Sequence, residues 1–384
     1  MLKVVHAAKF YPPAPGGMES LVQCLCDGTA RDWDVCVVAA SESARTIEER
    51  CGRVRVVRAR SLGLASSVPL CPSLPLHLWR EPADCFVLHE PNPVAGAALF
   101  LRTPAPRLVI WHHSDILRPW WAPPTYGHVQ RALYRRADCV IVSNPVLAAR
   151  SALVRHARRV AVIPLGIDLD RYRELDNRGR VRVDEIRARV PGPRILFVGR
   201  FVYYKGLDVL IEAMAHCPGT LVLVGDGPLE SDLRKQVEAS GLGQRVLFVG
   251  RVSDDELPAY YHASDVFVLP SVAETETYGL VQVEAMAAGV PVVSTNLPTG
   301  VPWVNRDGQT GLIVPPGKAM ALADALRGLL DDAPLRCQLG ENGRRRAEAL
   351  FSRERTVEAF KSLIETAVQA PELLDERLAH AEPT

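Results

Sequence analysis

The chain has 384 residues, 48% of them hydrophobic and 23% charged, with a formal net charge of +1. That length and balance fit a soluble globular protein of two ordinary domains, and exclude a disordered or fibrous chain. No run of about 18 apolar residues occurs, so no transmembrane helix is expected, and no basic cluster is interleaved with aromatics, so no nucleic-acid partner is expected.

Short apolar runs alternate with helical patterns throughout. In the first half the strand candidates are 2–7, 34–40, 54–58, 84–88, 107–111, 138–142 and 160–163. In the second they are 194–198, 220–224, 246–249, 265–269, 290–294 and 312–314. They are continuous Val/Ile/Leu runs rather than alternating ones, as in parallel strands buried on both faces, and the helical patterns between them predict two doubly wound α/β sheets. Ligands of such sheets sit outside the carboxyl ends of the strands, so the loops after strands are where to look. The first run, through His6, lacks the apolar stretch of a secretory leader. Of nine cysteines only Cys24 and Cys26 are close, at neither a zinc nor a redox spacing. Free thiols in a reducing, cytoplasmic compartment are expected.

Residues 1–175 hold 22 Lys+Arg against 15 Asp+Glu, and residues 176–384 hold 23 against 29. A basic first half can rest on an anionic membrane surface or meet an acidic substrate, or it can simply be solvated arginines. The first strand is followed by Phe10-Tyr-Pro-Pro-Ala-Pro-Gly16-Gly17-Met-Glu19. Its glycines allow close backbone approach, or merely a turn. The run 84–88 leads into His89-Glu-Pro-Asn92-Pro, where a histidine ends a buried strand. The run 107–111 ends in Trp111-His-His113-Ser114-Asp115-Ile, a set of polar groups at a strand end. Trp120-Trp121 and Pro123-Pro124 read as a loop, with the aromatic pair either exposed to a sugar or lipid interface or packed on its own domain. Residues 127–136, with Arg131, Arg135 and Arg136, read as a basic amphipathic helix, a membrane-docking face or a solvated one. Residues 174–193 are polar, Arg-rich and bounded by Pro and Gly, which suits a linker.

The second half opens with Ile195-Leu-Phe-Val-Gly199-Arg200-Phe-Val-Tyr-Tyr-Lys205-Gly206, which sets two cations just past a strand. Gly225-Asp-Gly227-Pro228 and Gly250-Arg251-Val252 follow later strands in the same way. The run 265–269 leads into Ser271-Val-Ala-Glu-Thr-Glu276-Thr-Tyr278-Gly279-Leu280, where a helical pattern begins that carries Glu284 and stops at Gly289 and Pro291. The helix N-terminus opened by Gly279 is an anion site, with free N–H groups and the positive end of the macrodipole. An acid on either side of it suits a ligand with hydroxyls at both ends and a diphosphate between them. In an arbitrary chain the same acids would be a cap and a solvated side chain.

The segment from Glu276 to Glu284 resembles the E-x7-E signature of retaining glycosyltransferases of family 4, with Tyr278 where Phe is common. Gly199-Arg200 and Lys205-Gly206 resemble the family's G-R-x4-K-G. The resemblance spans roughly residues 1–370, and its specific parts are Arg200 and Lys205 with Glu276 and Glu284. It implies the GT-B fold, two Rossmann-like doubly wound domains facing across a cleft. The first is taken as 1–173 plus a crossover helix within 351–384, the second as 174–350. Domain closure is expected to assemble the site and exclude water.

The family assigns Arg200 and Lys205 to the charge on the leaving diphosphate, as fork and point charge respectively. Glu276 is assigned to the donor sugar and Glu284 to the ribose. His113, in an element like the family's W-H-S-D-I, is assigned to a sugar hydroxyl and not to general base catalysis. Gly16, Gly17, Gly199, Gly227, Arg251, Val252, Tyr278, Gly279 and Leu280 fall on the donor side. His89, Asn92, Ser114 and Asp115 fall on the acceptor side. Asp32-x-Asp34 and Asp168-x-Asp170 have the spelling of a metal motif, but that motif belongs to a different, single-domain fold; no metal and no cofactor are expected beyond the nucleotide-sugar.

The sequence thus reads as a metal-independent retaining hexosyltransferase acting on a nucleoside-diphosphate sugar, with GDP-mannose preferred, and on a glycan or lipid-linked hydroxyl. A phosphorylase of the same fold would need a lysine-bound pyridoxal site, and no extra segment offers one. A catalytically silent sugar-nucleotide-binding or scaffold protein is the alternative, and the intact charged positions argue against it.

Overall fold

A computed structural model describes residues 1–14, 16–65, 68–115 and 122–376. The chain divides into one unit of Met1–Leu165 with Glu354–Thr384 and another of Gly166–Arg353. The Trp120-Trp121 pair lies outside the described residues.

The strands of the first unit are β1 (Lys3–Ala7), β2 (Asp34–Ala40), β3 (Ile47–Cys51), β4 (Val54–Ala59), β5 (Leu64–Ala65), β6 (Val68–Pro69), β7 (Cys85–Glu90), β8 (Arg107–His112), β9 (Cys139–Val142) and β10 (Val160–Val162). Eight of them form one sheet in the order β10-β9-β8-β7-β1-β2-β4-β3, and β5 pairs with β6 alone. All eight are parallel except β3, which runs antiparallel to β4. Chain order reverses at β1, between β7 and β2, which creates the switch point where such sheets open a crevice. Side chains alternate faces along each strand. Val4, Val87, Val109 and Ile141 therefore share one buried layer with Phe360 of the helix Arg353–Gln369, while Val5, Phe86, Ile110 and Val140 fill the other.

The second unit has β11 (Arg194–Val198), β12 (Thr220–Val224), β13 (Val246–Gly250), β14 (Val266–Leu269), β15 (Val292–Thr295) and β16 (Gly311–Val314), in the order β13-β12-β11-β14-β15-β16. Every pairing is parallel, and the switch point falls between β11 and β14. The last turns of these two strands are therefore neighbours, although 71 residues of chain separate Lys205 from Glu276 beyond them.

Two readings of the sequence change. Residues 174–193 are not a linker: Asn177–Arg189 is a helix, capped by Asp176, whose side chain accepts from Gly179 N–H at 2.7 Å. It buries Val183 and Ile186, and Arg187 donates to the carbonyl of His262 at 2.9 Å. Pro123 and Pro124 do not continue a loop either: the helix runs Ala122–Arg136 and takes them into its first turn, where a proline's missing N–H costs nothing. Among the described residues, no helix is long and apolar enough to cross a membrane.

Candidate functional site

In the second unit the loops after β11 and β14 are bound to each other. Val272 N–H donates to the Tyr204 carbonyl at 2.8 Å. Gly206 sits at φ 66°, and a Cβ there would fall 2.2 Å from the Pro270 carbonyl oxygen, so the approach requires glycine. This contact brings the Lys205 ammonium to 2.5 Å from Glu276 Oε2. Ser271 Oγ donates to the same oxygen at 3.1 Å, and the ammonium lies 5.6 Å from the Tyr204 ring centre. Lys205 is 8% exposed and Glu276 7%. Arg200 is exposed on the same loop and makes no ion pair among the described residues; its charge partly offsets the rise that burial imposes on the Tyr204 hydroxyl pKa.

Gly279, at φ 72°, turns the chain into the helix Leu280–Ala287; a Cβ there would fall 2.6 Å from Leu269 Cδ2. The helix N-terminus thus stands beside the end of β14. One turn further in, Glu284 accepts from the Tyr261 hydroxyl at 2.6 Å. Burial raises the Glu284 pKa, and hydrogen bonds from Tyr261 and Tyr172 with the Arg171 charge oppose the rise. Sequence reasoning missed both tyrosines, because nothing local links them to Glu284.

The remaining donor-side positions divide. Gly199 ends β11 against Val224, and Gly227 packs so tightly on the Phe201 backbone that a Cβ would fall 2.5 Å from its carbonyl oxygen. Arg251 is exposed and turned to Asp226 at 3.2 Å, and Val252 is half-buried. Tyr278 is turned inward at 3% exposure, with its ring beside Trp303 and Phe351, so what it offers a ligand is backbone. The two D-x-D spellings are engaged by cations: Asp32 with Lys361 at 2.6 Å, Asp168 with Arg353 at 3.6 Å and Asp170 with Arg173 at 3.3 Å.

In the first unit the register places His6 beside Val87, and His89 beside Trp111. Counting by twos puts His6, His89, Trp111 and His113 on one face, each histidine a step further toward the carboxyl ends. His6 Nδ1 is 3.0 Å from His89 Nε2, and His89 Nδ1 is 3.2 Å from His113 Nε2. Burial pushes the pKa of His6 and His113 down to about 3, and that of His89 well below the usual histidine value. All three are therefore neutral near pH 7. Sequence reasoning placed His89 and His113 and missed His6, which looked like one more strand residue.

The other face carries Glu90, fully buried, which accepts from Tyr126 Oη at 2.9 Å, Gln130 Nε2 at 3.3 Å and Asn92 N–H at 3.0 Å. Asn92 caps the helix Pro93–Leu101, accepting from Ala95 N–H at 3.3 Å. Asp115 accepts from Ser151 Oγ at 2.8 Å, and Ser114 is half-buried. Gly17 opens the helix Gly17–Thr29, and the Glu19 carboxylate folds back onto Gly16, filling the place a Cβ would take. The structure thus joins Lys205 to Glu276 and His89 to His113, and ties Asn92, Asp115, Tyr278 and Arg251 to neighbours of their own. In chemical terms, the second unit offers a fixed cation, a carboxylate and a helix N-terminus at the carboxyl ends of two adjacent strands. That set can hold an anion flanked by hydroxyls.

Comparison with known proteins places the chain among glycosyltransferases. Residues 15–171 match the family described as Glycosyltransferase Family 4, and residues 184–346 match Glycosyl transferases group 1. The chain is 28% identical over 379 residues to the O-antigen chain mannosyltransferase C of Escherichia coli, covering 96% of this chain and 100% of that protein. It is 32% identical over 374 residues to a GDP-mannose-dependent alpha-(1-6)-phosphatidylinositol monomannoside mannosyltransferase of Mycobacterium tuberculosis, covering 90% and 93% respectively. Among solved structures it superposes on a sucrose-phosphate synthase from Thermosynechococcus elongatus with a TM-score of 0.78 at 26% identity, covering 96% of this chain and 100% of that one.

Proposed function

We propose, since the chain belongs to the glycosyltransferases of family 4 and group 1 and has the GT-B fold, that it moves a hexose from a nucleoside-diphosphate sugar to a hydroxyl of a glycan or lipid-linked acceptor, with retention of the anomeric configuration. The observation that carries this reading is the Lys205–Glu276 pair at the switch point of the second sheet. The ammonium and the Arg200 guanidinium take the charge that develops on the leaving diphosphate, helped by the N–H groups at Gly279 and Leu280. Glu276 keeps a second oxygen to accept from the donor sugar, and Glu284 accepts from ribose hydroxyls. On the first unit His113 is assigned to a sugar hydroxyl. The departing phosphate oxygen takes the acceptor's proton on the face where the new bond forms, which accounts for retention. Two side-chain cations and backbone amides do here what a metal ion does elsewhere, so the reaction is assigned as metal-independent.

GDP-mannose is the preferred donor, supported by the GDP-mannose dependence of the mycobacterial relative. The helix Ala122–Arg136, with Arg131 and Arg135, and nearby Arg155 form the face proposed to meet an anionic membrane from the cytoplasmic side. Thermal-shift titration with GDP, UDP and ADP tests the donor, because a ligand that binds the folded chain raises its apparent stability. GDP is expected to give the largest shift. A shift with one of the three but no turnover of any hexose conjugate would replace the transferase reading with a silent binding protein, and neither shift nor turnover would leave only a scaffold.

A further inference from the structure

Three imidazoles, from β1, β7 and the residue just past β8, form one chain. The His6–His89 ring centres lie 5.3 Å apart with an interplanar angle of 18°, and those of His89–His113 lie 5.4 Å apart at 17°. The facing nitrogens are 3.0 Å and 3.2 Å apart. The centre separations exceed the nitrogen separations by about the width of one ring, so the rings lie end to end in nearly a common plane. That is the arrangement of in-plane N–H···N hydrogen bonds, not of face-to-face stacking. Trp111 runs along the same row, its ring centre 6.2 Å from His89 and 6.0 Å from His113 at small interplanar angles.

A neutral imidazole has one donor and one acceptor nitrogen, so neutral histidines in a row must all point the same way. In one pattern every Nδ1 carries the proton, and His113 accepts at Nε2 from His89. In the other every Nε2 carries it. The buried end of the row decides between them. His6 is 0% exposed, and its Nε2 has no hydrogen-bond partner among the described residues. Protonating every Nε2 would strand a buried N–H there, the rarer and costlier defect, whereas protonating every Nδ1 strands only a lone pair.

The geometry points to His6 and His89 as positioning residues that fix the tautomer of His113, so that His113 meets its ligand as an Nδ1–H donor to a sugar oxygen. The inference rests on the assignment of His113 to the sugar and deepens it. With Nε2 engaged by His89 and Nδ1 protonated, His113 has no free lone pair with which to take a proton. It recognises an oxygen that can accept, and the acceptor's proton must leave by another route.

The test is 15N spectroscopy of histidine-labelled wild-type protein at neutral pH, with rings assigned through bonds to their own Cβ. All three histidines are expected as Nδ1–H tautomers with unprotonated, hydrogen-bonded Nε2. His113 found protonated at Nε2 overturns the inference, because the row would then run the other way, with an unpartnered N–H at the buried His6 end. His89→Phe cuts the row while keeping a flat ring. His113 is then expected to show both tautomers, and kcat/KM with GDP-mannose to fall about tenfold. Unchanged turnover in a folded His89→Phe protein also overturns it, and if that variant does not fold the wild-type spectrum decides alone. Failure here is separable from failure of the function. An active transferase with His113 protonated at Nε2 sinks only the tautomer assignment, and an inactive protein with three Nδ1–H histidines sinks the function while the tautomer assignment stands.

Discussion

Lys205 Nζ and Glu276 Oε2 are 2.5 Å apart, from loops that follow adjacent strands of one parallel sheet, and both side chains are almost fully buried. A buried pair of this kind is costly to break from one side, because the survivor stays desolvated. Lys205→Met is expected to lower stability by about 3 kcal/mol and kcat/KM by about a hundredfold or more. Lys205→Met combined with Glu276→Gln should regain much of the stability and none of the turnover. Denaturant unfolding and donor turnover on the three variants check this. Turnover recovering with stability would mean that the pair only holds the loops together.

The Tyr261 hydroxyl holds Glu284 at 2.6 Å. Removing it in Tyr261→Phe leaves the carboxylate less well oriented toward ribose. The expected cost is about 1 kcal/mol, a five- to tenfold rise in KM for the donor, with kcat nearly unchanged because a ribose contact is made equally in ground and transition states. Steady-state kinetics over donor concentration checks it, and a fall in kcat alone would place Glu284 at the reacting centre.

Burial holds His6 at a pKa of about 3, against an ordinary value of 6.5. Between those values the unfolded chain binds more protons than the folded one, so stability rises with pH across the window. It is full above about pH 6.5, is lost as the pH falls, and levels off once the pH is below the folded value. At about pH 5 this one residue costs about 2 kcal/mol. Denaturant unfolding at neutral pH and near pH 5 should show the loss, and His6→Leu should shrink it by about that amount.

Asp176 caps the helix Asn177–Arg189 through Gly179 N–H. Asp176→Ala should cost about 1 kcal/mol of stability and leave turnover untouched. Unfolding and kinetics measured together check both halves.

The parallel strands were legible because most carry a short run of Val, Ile and Leu, as strands buried on both faces do; β4, Val54–Ala59, keeps only Val54, Val56 and Val57 among its arginines. The edge strand β3 was not: Glu48, Glu49 and Arg50 give it the charges that keep an edge from pairing further, and those charges hide it. The helix Asn177–Arg189 was hidden in the same way, since only Val183 and Ile186 face inward from an arginine-rich stretch. In the site, Arg200, Lys205, Glu276 and Glu284 stood out through their family spelling. The Lys205–Glu276 contact follows from strand order, which spacing along the chain does not reveal. His6 pairs with His89 across 83 residues of chain, and Tyr261 with Glu284 across 23, so neither partner carries a local signal.

The most direct test is turnover of GDP-mannose by wild-type protein, Lys205→Ala and Glu276→Ala, without acceptor so that water takes the sugar, following GDP release and the anomer of the mannose first formed. The wild-type protein is expected to release GDP and α-mannose, with both variants slower by about a hundredfold or more. Wild-type rates in both variants would contradict the assignment of the Lys205–Glu276 pair, and β-mannose as the first product would contradict retention.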